Sequence, residues 1–166
     1  MPSAGEIEVR PAAAADIETW LDLYAAVAGE GRWIGGELPI DRARMEKGFL
    51  AMVDDPEEGV FVAEADGRIV GQLGIGRKRD GHAELGMLVA DGWRGRGVGS
   101  ALMDAAIDWA RAHDVHKVAL EVWPHNEAAI ALYRKFGFEE EGYLKAHYRR
   151  RNGELWDVVV MGLPIS

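Results

Sequence analysis

From Ile7 to Ala12 apolar and polar residues alternate, and with Pro11 this predicts a short first strand. Asp16 then stands where a helix cap is expected, and Ile17, Trp20, Leu21, Leu23, Tyr24 and Val27 recur at helical spacing. Gly29 and Gly31 mark the end of that helix. Asp41 is placed to cap a second helix through Leu50 and Met52, and "DDPEEG" reads as a turn. "GVFVAEAD" and "RIVGQLGIGRKR" are strands, and the Asp66-Gly67 pair between them is a hairpin signal. "HAELGMLVA" is another strand. A helix follows, with Val98, Leu102, Ala105, Ala106, Ile107 and Trp109 as its apolar stripe. "HKVALEVW" is a strand, and "NEAAIALYRKFGF" is a helix that starts at Asn126 and stops against Gly137. The remainder, "EEEGYLKAHYRRRNGELWDVVVMGL", gives two strands turning at Asn152-Gly153.

The predicted order is strand, two helices, three strands, helix, strand, helix, two strands. That order describes one mixed α/β sheet. A doubly wound nucleotide fold needs more crossover helices than this chain has. No repeat or linker interrupts it, so residues 1–166 are expected to form one domain.

Composition changes the picture little. Hydrophobic residues make up 48% and charged ones 28%, the balance of a soluble globular protein. No apolar run has the length of a membrane span, and "MPSAGEIEVRP" lacks a leader pattern. A cytoplasmic protein without membrane association is expected. The net charge of −9 opposes nucleic-acid binding. Two basic runs, Arg77 to Arg79 and Arg149 to Arg151, stand against that charge and read as solvated loop or edge strand. The chain has no cysteine, which removes disulfides and thiolate metal sites, and its five scattered histidines lack ligand spacing. No metal is expected.

The candidate chemistry begins at "GWRGRGVGSALM". Gly95, Gly97 and Gly99 alternate just before a helix, where backbone N–H groups can approach a ligand closely. The first turn of a helix has unpaired donors and partial positive charge. Arg94 and Arg96 add full charges at the rim, so the loop suits a diphosphate as well as it suits a plain structural turn. No Gly-Lys-Ser/Thr follows, which excludes a Walker loop. Further on, "WPHNEAAIALYRKFGF" places Asn126 at a helix start and Tyr133 two turns later.

With those two blocks together, "LGMLVADGWRGRGVGSALM" resembles the acetyl-CoA signature of the GNAT superfamily of N-acetyltransferases. That signature is a strand followed by Arg/Gln-x-x-Gly-x-Gly/Ala opening a helix, matched by Arg94, Gly97 and Gly99. "NEAAIALYRKFGF" is similar to the family's second block. One departure is Asp91, where many members carry proline.

The resemblance implies a mixed, mostly antiparallel sheet of six to seven strands, flanked by about four helices, with one splayed parallel pair. It implies that the pantetheine arm of acetyl-CoA lies in the splay against the backbone of Met87, Leu88 and Val89. The pyrophosphate would rest on the amides of Arg94, Gly95, Arg96, Gly97, Val98, Gly99 and Ser100. Asn126 would touch the cofactor by its side chain, and Tyr133 would lie by the thioester sulfur. The implied reaction is direct attack of an amine on the thioester. Such an amine must first lose a proton. Glu84 is the first candidate base and Glu121 the second, with His82, His125 and His147 further options. Tyr133 is the proton donor to the leaving thiolate, since a phenol holds its proton at neutral pH.

Acceptor recognition is expected from the "GEGRWIGGELP" loop and the C-terminal hairpin, with Trp33, Glu37, Tyr143, Tyr148 and Trp156 as candidates. A small amine, an amino acid, an antibiotic or a protein N-terminus all fit. A homodimer is expected only because symmetric pairs are the commonest assemblies. A non-catalytic acyl-CoA sensor stays open as the alternative to an enzyme.

Overall fold

The computed structural model describes residues 5–166. Met1 to Ala4, the start of the stretch searched for a leader, lie outside them. Seven strands form one sheet: β1 (Glu8–Pro11), β2 (Glu58–Ala65), β3 (Arg68–Arg77), β4 (Ala83–Val89), β5 (Lys117–Val122), β6 (Glu139–Arg149) and β7 (Leu155–Pro164). Their spatial order is β1-β2-β3-β4-β5-β7-β6. Four α-helices accompany them: α1 (Ile17–Glu30), α2 (Arg42–Asp54), α3 (Val98–Ala112) and α4 (Glu127–Lys135). The element order is the one expected from the sequence.

Every neighbouring pair of strands is antiparallel except β4 and β5. That parallel pair has only two rungs, Ala83 opposite Val118 and Glu84 opposite Ala119. Past Glu84 the two strands part, while β4 stays paired to β3 up to Val89. The expected splay is therefore present, and β4 has an unpaired edge along it.

Helices cover both faces. On one, α3 buries Leu102, Met103, Ala106 and Trp109 against Leu73 and Ile75. On the other, Trp20 of α1 stacks on Phe49 of α2 at 4.5 Å between ring centroids, above Val60. The β2–β3 turn at Asp66 and Gly67 has positive φ at both residues, as a twisted two-residue hairpin requires. Gly29 lies inside α1, and Gly31 alone ends that helix in the left-handed region.

Asp16 differs from expectation. Its side chain makes no cap bond to α1. A single 3₁₀ turn, Ala14–Asp16, precedes the helix, and the carboxylate accepts from the Ala13 amide at 2.7 Å. The same carboxylate takes a two-pronged bond from Arg10, 2.8 Å on each oxygen. Arg10 holds the Asp16 carboxyl below its ordinary value, outweighing the opposing effect of burial. The unfolded chain therefore takes up this proton first as pH falls, and the stabilisation is lost below the ordinary aspartate value of about 3.9. Asp16→Asn is expected to cost about 1–2 kcal/mol at neutral pH, since Arg10 stays partly open to solvent. Chemical denaturation at pH 7 and at pH 3 should show that cost shrinking in acid.

Candidate active site

The glycine loop ends at Gly97, which precedes α3 with φ +90°. No side chain caps the helix. The first bond closing it runs from the Ala101 amide to the Gly97 carbonyl at 3.1 Å, so the amides of Val98, Gly99 and Ser100 precede any intrahelical partner. They form an anion seat of main-chain donors at the positive end of a 15-residue helix.

Beside this seat a cavity of about 270 Å³ lies between the β4 edge, α3 and α4. Of the residues expected to hold the cofactor, Met87, Leu88, Val89, Arg94, Gly95, Gly97, Gly99, Ser100, Asn126 and Tyr133 line it. Arg96 and Val98 do not. Arg96 stacks on the Trp93 ring at 4.0 Å, and the Val98 side chain is 1% exposed in the core under α3. Gly99 has a packing duty: a Cβ there would come within 2.7 Å of Leu132 Cδ2, so its bare backbone lets α4 approach α3.

Arg94 is not the free charge that the sequence suggested. Arg94 donates to both oxygens of Glu30 at 2.7 Å, and its Nε donates to the Val89 carbonyl at 3.1 Å. Glu30 is held below its ordinary value by that guanidinium. Arg94 therefore ties the end of α1 to the start of the loop.

The Ala90 amide donates to the Val70 carbonyl at 2.8 Å. Backbone groups alternate sides along a strand. Met87 and Val89 consequently turn their N–H groups into the splay, whereas Leu88 turns its own toward β3. Asn126 caps α4 through the Ala129 amide at 3.3 Å, which leaves its amide nitrogen for a ligand.

A second, wider cavity of about 700 Å³ opens on the α1–α2 face. Trp33, Ile34, Met87, Leu88, Asn126 and Tyr133 line both cavities. Tyr133 thus stands where the two meet. It is 6% exposed, and burial pushes its hydroxyl up to about 12.

Glu84 and Glu121, the two candidate bases, both line the wider cavity. Glu84 is within 3.6 Å of Lys78 and 3.5 Å of His82. Glu121 accepts from the Tyr148 hydroxyl at 2.7 Å, and this bond raises the Tyr148 phenol above its ordinary value. Of the other histidines, His125 contacts the Arg32 carbonyl at 2.7 Å and His147 packs edge-on to Tyr148. Among the described residues no cluster of three or more His, Asp or Glu could hold a metal ion, and no helix is long and apolar enough to cross a membrane.

Of the residues expected on the acceptor side, Trp33, Glu37 and Tyr148 line the wider cavity, and Tyr143 and Trp156 do not. Tyr143 projects elsewhere and donates to Asp157 at 2.6 Å. Trp156 packs edge-on to Trp123 at 5.0 Å, behind the wall. The sequence reading also missed Arg150. Within a run read as solvated it is 6% exposed, lies 4.2 Å over the Trp156 ring, and donates to the Gly35 carbonyl at 3.1 Å. It pins the loop after α1 to the C-terminal hairpin.

The acetyltransferase (GNAT) family model matches residues 20–138. The chain is 35% identical to the L-amino acid N-acetyltransferase AaaT of Escherichia coli, over 94% of this chain and 96% of that one. It is 30% identical to an L-methionine sulfoximine/L-methionine sulfone acetyltransferase of Pseudomonas paraeruginosa, over 82% of each. Its fold superposes with a TM-score of 0.85 on a crystal structure of a GNAT superfamily phosphinothricin acetyltransferase from Sinorhizobium meliloti in complex with acetyl-CoA, at 23% identity, covering 96% of this chain and 89% of that one. A splayed strand edge, an open helix start and a buried tyrosine between two cavities thus occur in a chain that belongs to the GNAT family of acetyl-CoA-dependent N-acetyltransferases.

Proposed function

We propose that this protein acetylates the primary amine of a small, amino-acid-like molecule in the cytoplasm, with Tyr133 as acid and Glu84 as base. The observation that carries the reading is Tyr133 at the junction of the two cavities. The narrower cavity suits the thioester arm, with the N–H groups of Met87 and Val89 as its partners and those of Val98, Gly99 and Ser100 for the diphosphate. The wider cavity suits the amine.

Glu84 takes a proton from the ammonium through intervening water. The amine nitrogen then forms a bond to the acetyl carbon, and the carbon–sulfur bond breaks. A backbone N–H on the β4 edge stabilises the oxygen as it gains charge. As the carbon–sulfur bond breaks, Tyr133 gives its proton to the departing sulfur; the nitrogen, which carries one proton too many after the attack, releases it to solvent, and solvent reprotonates Tyr133 and clears the proton from Glu84. The relatives named for L-amino acids and for methionine sulfoximine, which match over 94% and 82% of this chain, support a compact acceptor.

Thiol release from acetyl-CoA across a panel of L-amino acids and simple amines tests this reading. Turnover of at least one supports it. Bound coenzyme A with no turnover of any amine favours a sensor. Glu84→Gln is expected to lower kcat/KM about 100-fold at neutral pH. The deficit should narrow as pH rises, because a larger share of the amine is already free. A pH profile of kcat/KM for Glu84→Gln beside Glu121→Gln checks it, and an unchanged rate in the former moves the base role to Glu121.

A further inference from the structure

The floor of the wider cavity is a ladder of three rungs on β3 and β4: Gln72 opposite Leu88, Gly74 opposite Gly86, and Gly76 opposite Glu84. Alternation puts these six on one face of the sheet. The middle rung has no side chains. A Cβ on Gly86 would meet nothing within 4 Å, and one on Gly74 would meet only the Gln72 Nε2 atom at 3.5 Å. The result is a bare trough. Glu58 closes its far end, because its carboxylate lies over Gly76.

Gln72 stands at the near end, opposite Leu88, which lines both cavities. It is 7% exposed. Its Oε1 accepts from the Trp20 indole at 3.2 Å. An indole nitrogen only donates, so the oxygen of the amide must face Trp20 and the NH₂ group must face the trough. Among the described residues those two N–H donors have no protein partner. The amide nitrogen is not sealed from solvent, so it presents its two N–H donors to an acceptor atom that enters the trough.

We propose that Gln72 and the Gly74–Gly86 rung are the seat of the amine acceptor, an α-amino acid, and set its specificity. The acceptor's carboxylate oxygen takes the Gln72 N–H groups at the end where Leu88 joins the two cavities. Its amine, two bonds from that carboxylate carbon, then lies toward the thioester. Its side chain occupies the space above Gly74 and Gly86, and Glu58 limits its length. An α-amino acid fits this spacing because its amine and its carboxylate share one carbon. The inference rests on the acetyl-transfer reading above.

The test uses L-amino acids from glycine to leucine and methionine, each beside the amine that lacks its carboxylate. For the unaltered protein and for Gln72→Met and Gly86→Val, kcat/KM is measured by thiol release, with coenzyme A affinity by calorimetry. Gln72→Met should lower the preference for amino acid over matched amine by tenfold or more, through KM rather than kcat. Gly86→Val, which the open space admits, should reduce leucine and methionine by tenfold or more relative to glycine and alanine. An amino-acid preference unchanged in Gln72→Met, or a size profile unchanged in Gly86→Val, overturns the seat while leaving acetyl transfer intact. Failure of the unaltered protein to acetylate any of these amines overturns both readings.

Discussion

Tyr133→Phe is expected to slow acetyl transfer by about 100-fold or more, the range of a lost general acid. The substitution removes one oxygen and keeps the ring. Tyr133 packs 5.8 Å from Phe138, centroid to centroid, in the core under α3 and α4, and phenylalanine preserves that contact. Coenzyme A affinity should therefore change by less than a few-fold, because in the proposed reading the arm and diphosphate meet the β4 edge and the α3 amides instead. The pH dependence carries a second signature. Burial lifts the hydroxyl to about 12, so it remains protonated through any practical assay range. The unaltered enzyme should show no alkaline fall in kcat caused by this group below about pH 11. Steady-state rates from pH 6 to 10, with calorimetry at pH 7.5, check both statements. An unaltered kcat would remove Tyr133 from the chemistry and leave it as a packing residue.

Features encoded by neighbouring residues were legible in the sequence. Asp66-Gly67 is such a feature, and so are the Gly95–Gly99 alternation and the Asn126 cap, because each is settled by chemistry within a few residues. Asp16 has the same local signal as Asn126 yet behaves differently. Its carboxylate meets an arginine that the chain brings back from β1, and a charged two-pronged bond outcompetes one backbone amide. Arg94 shows the same limit: motif position places it at the loop, but only the fold reveals Glu30 against it. Arg150 was hidden by its two exposed neighbours, since a run of like residues has no period to read. Tyr143 had no such signal: β6 changes register between Leu144 and Tyr148, so the two tyrosines do not share one unbroken alternation, and only the fold shows Tyr143 turned to Asp157. Gln72 gave no local signal, because its orientation is fixed by Trp20, 52 residues away in sequence.

Gly97→Val is expected to weaken coenzyme A binding by at least 100-fold, roughly 3 kcal/mol, while the domain stays folded. Gly97 has φ +90°, where a β-branched residue is strained by about 1–3 kcal/mol. Nothing lies within 4 Å of a Cβ built there, so the cost is backbone strain rather than collision, and a domain stability of about 5–15 kcal/mol can absorb it. Relief of that strain must rotate the peptide that leads into α3. The amides of Val98, Gly99 and Ser100 then lose their common aim, and a diphosphate loses several bonds together. The new side chain also stands where the ligand approaches. Gly97→Ala, with the same φ but no branch, should fall between the two. Calorimetric titration with coenzyme A, beside thermal melts of all three proteins, separates lost binding from lost fold. A folded Gly97→Val protein that binds coenzyme A with undiminished affinity would show that the diphosphate does not rest on the start of α3. The narrower cavity would then have to serve some other ligand.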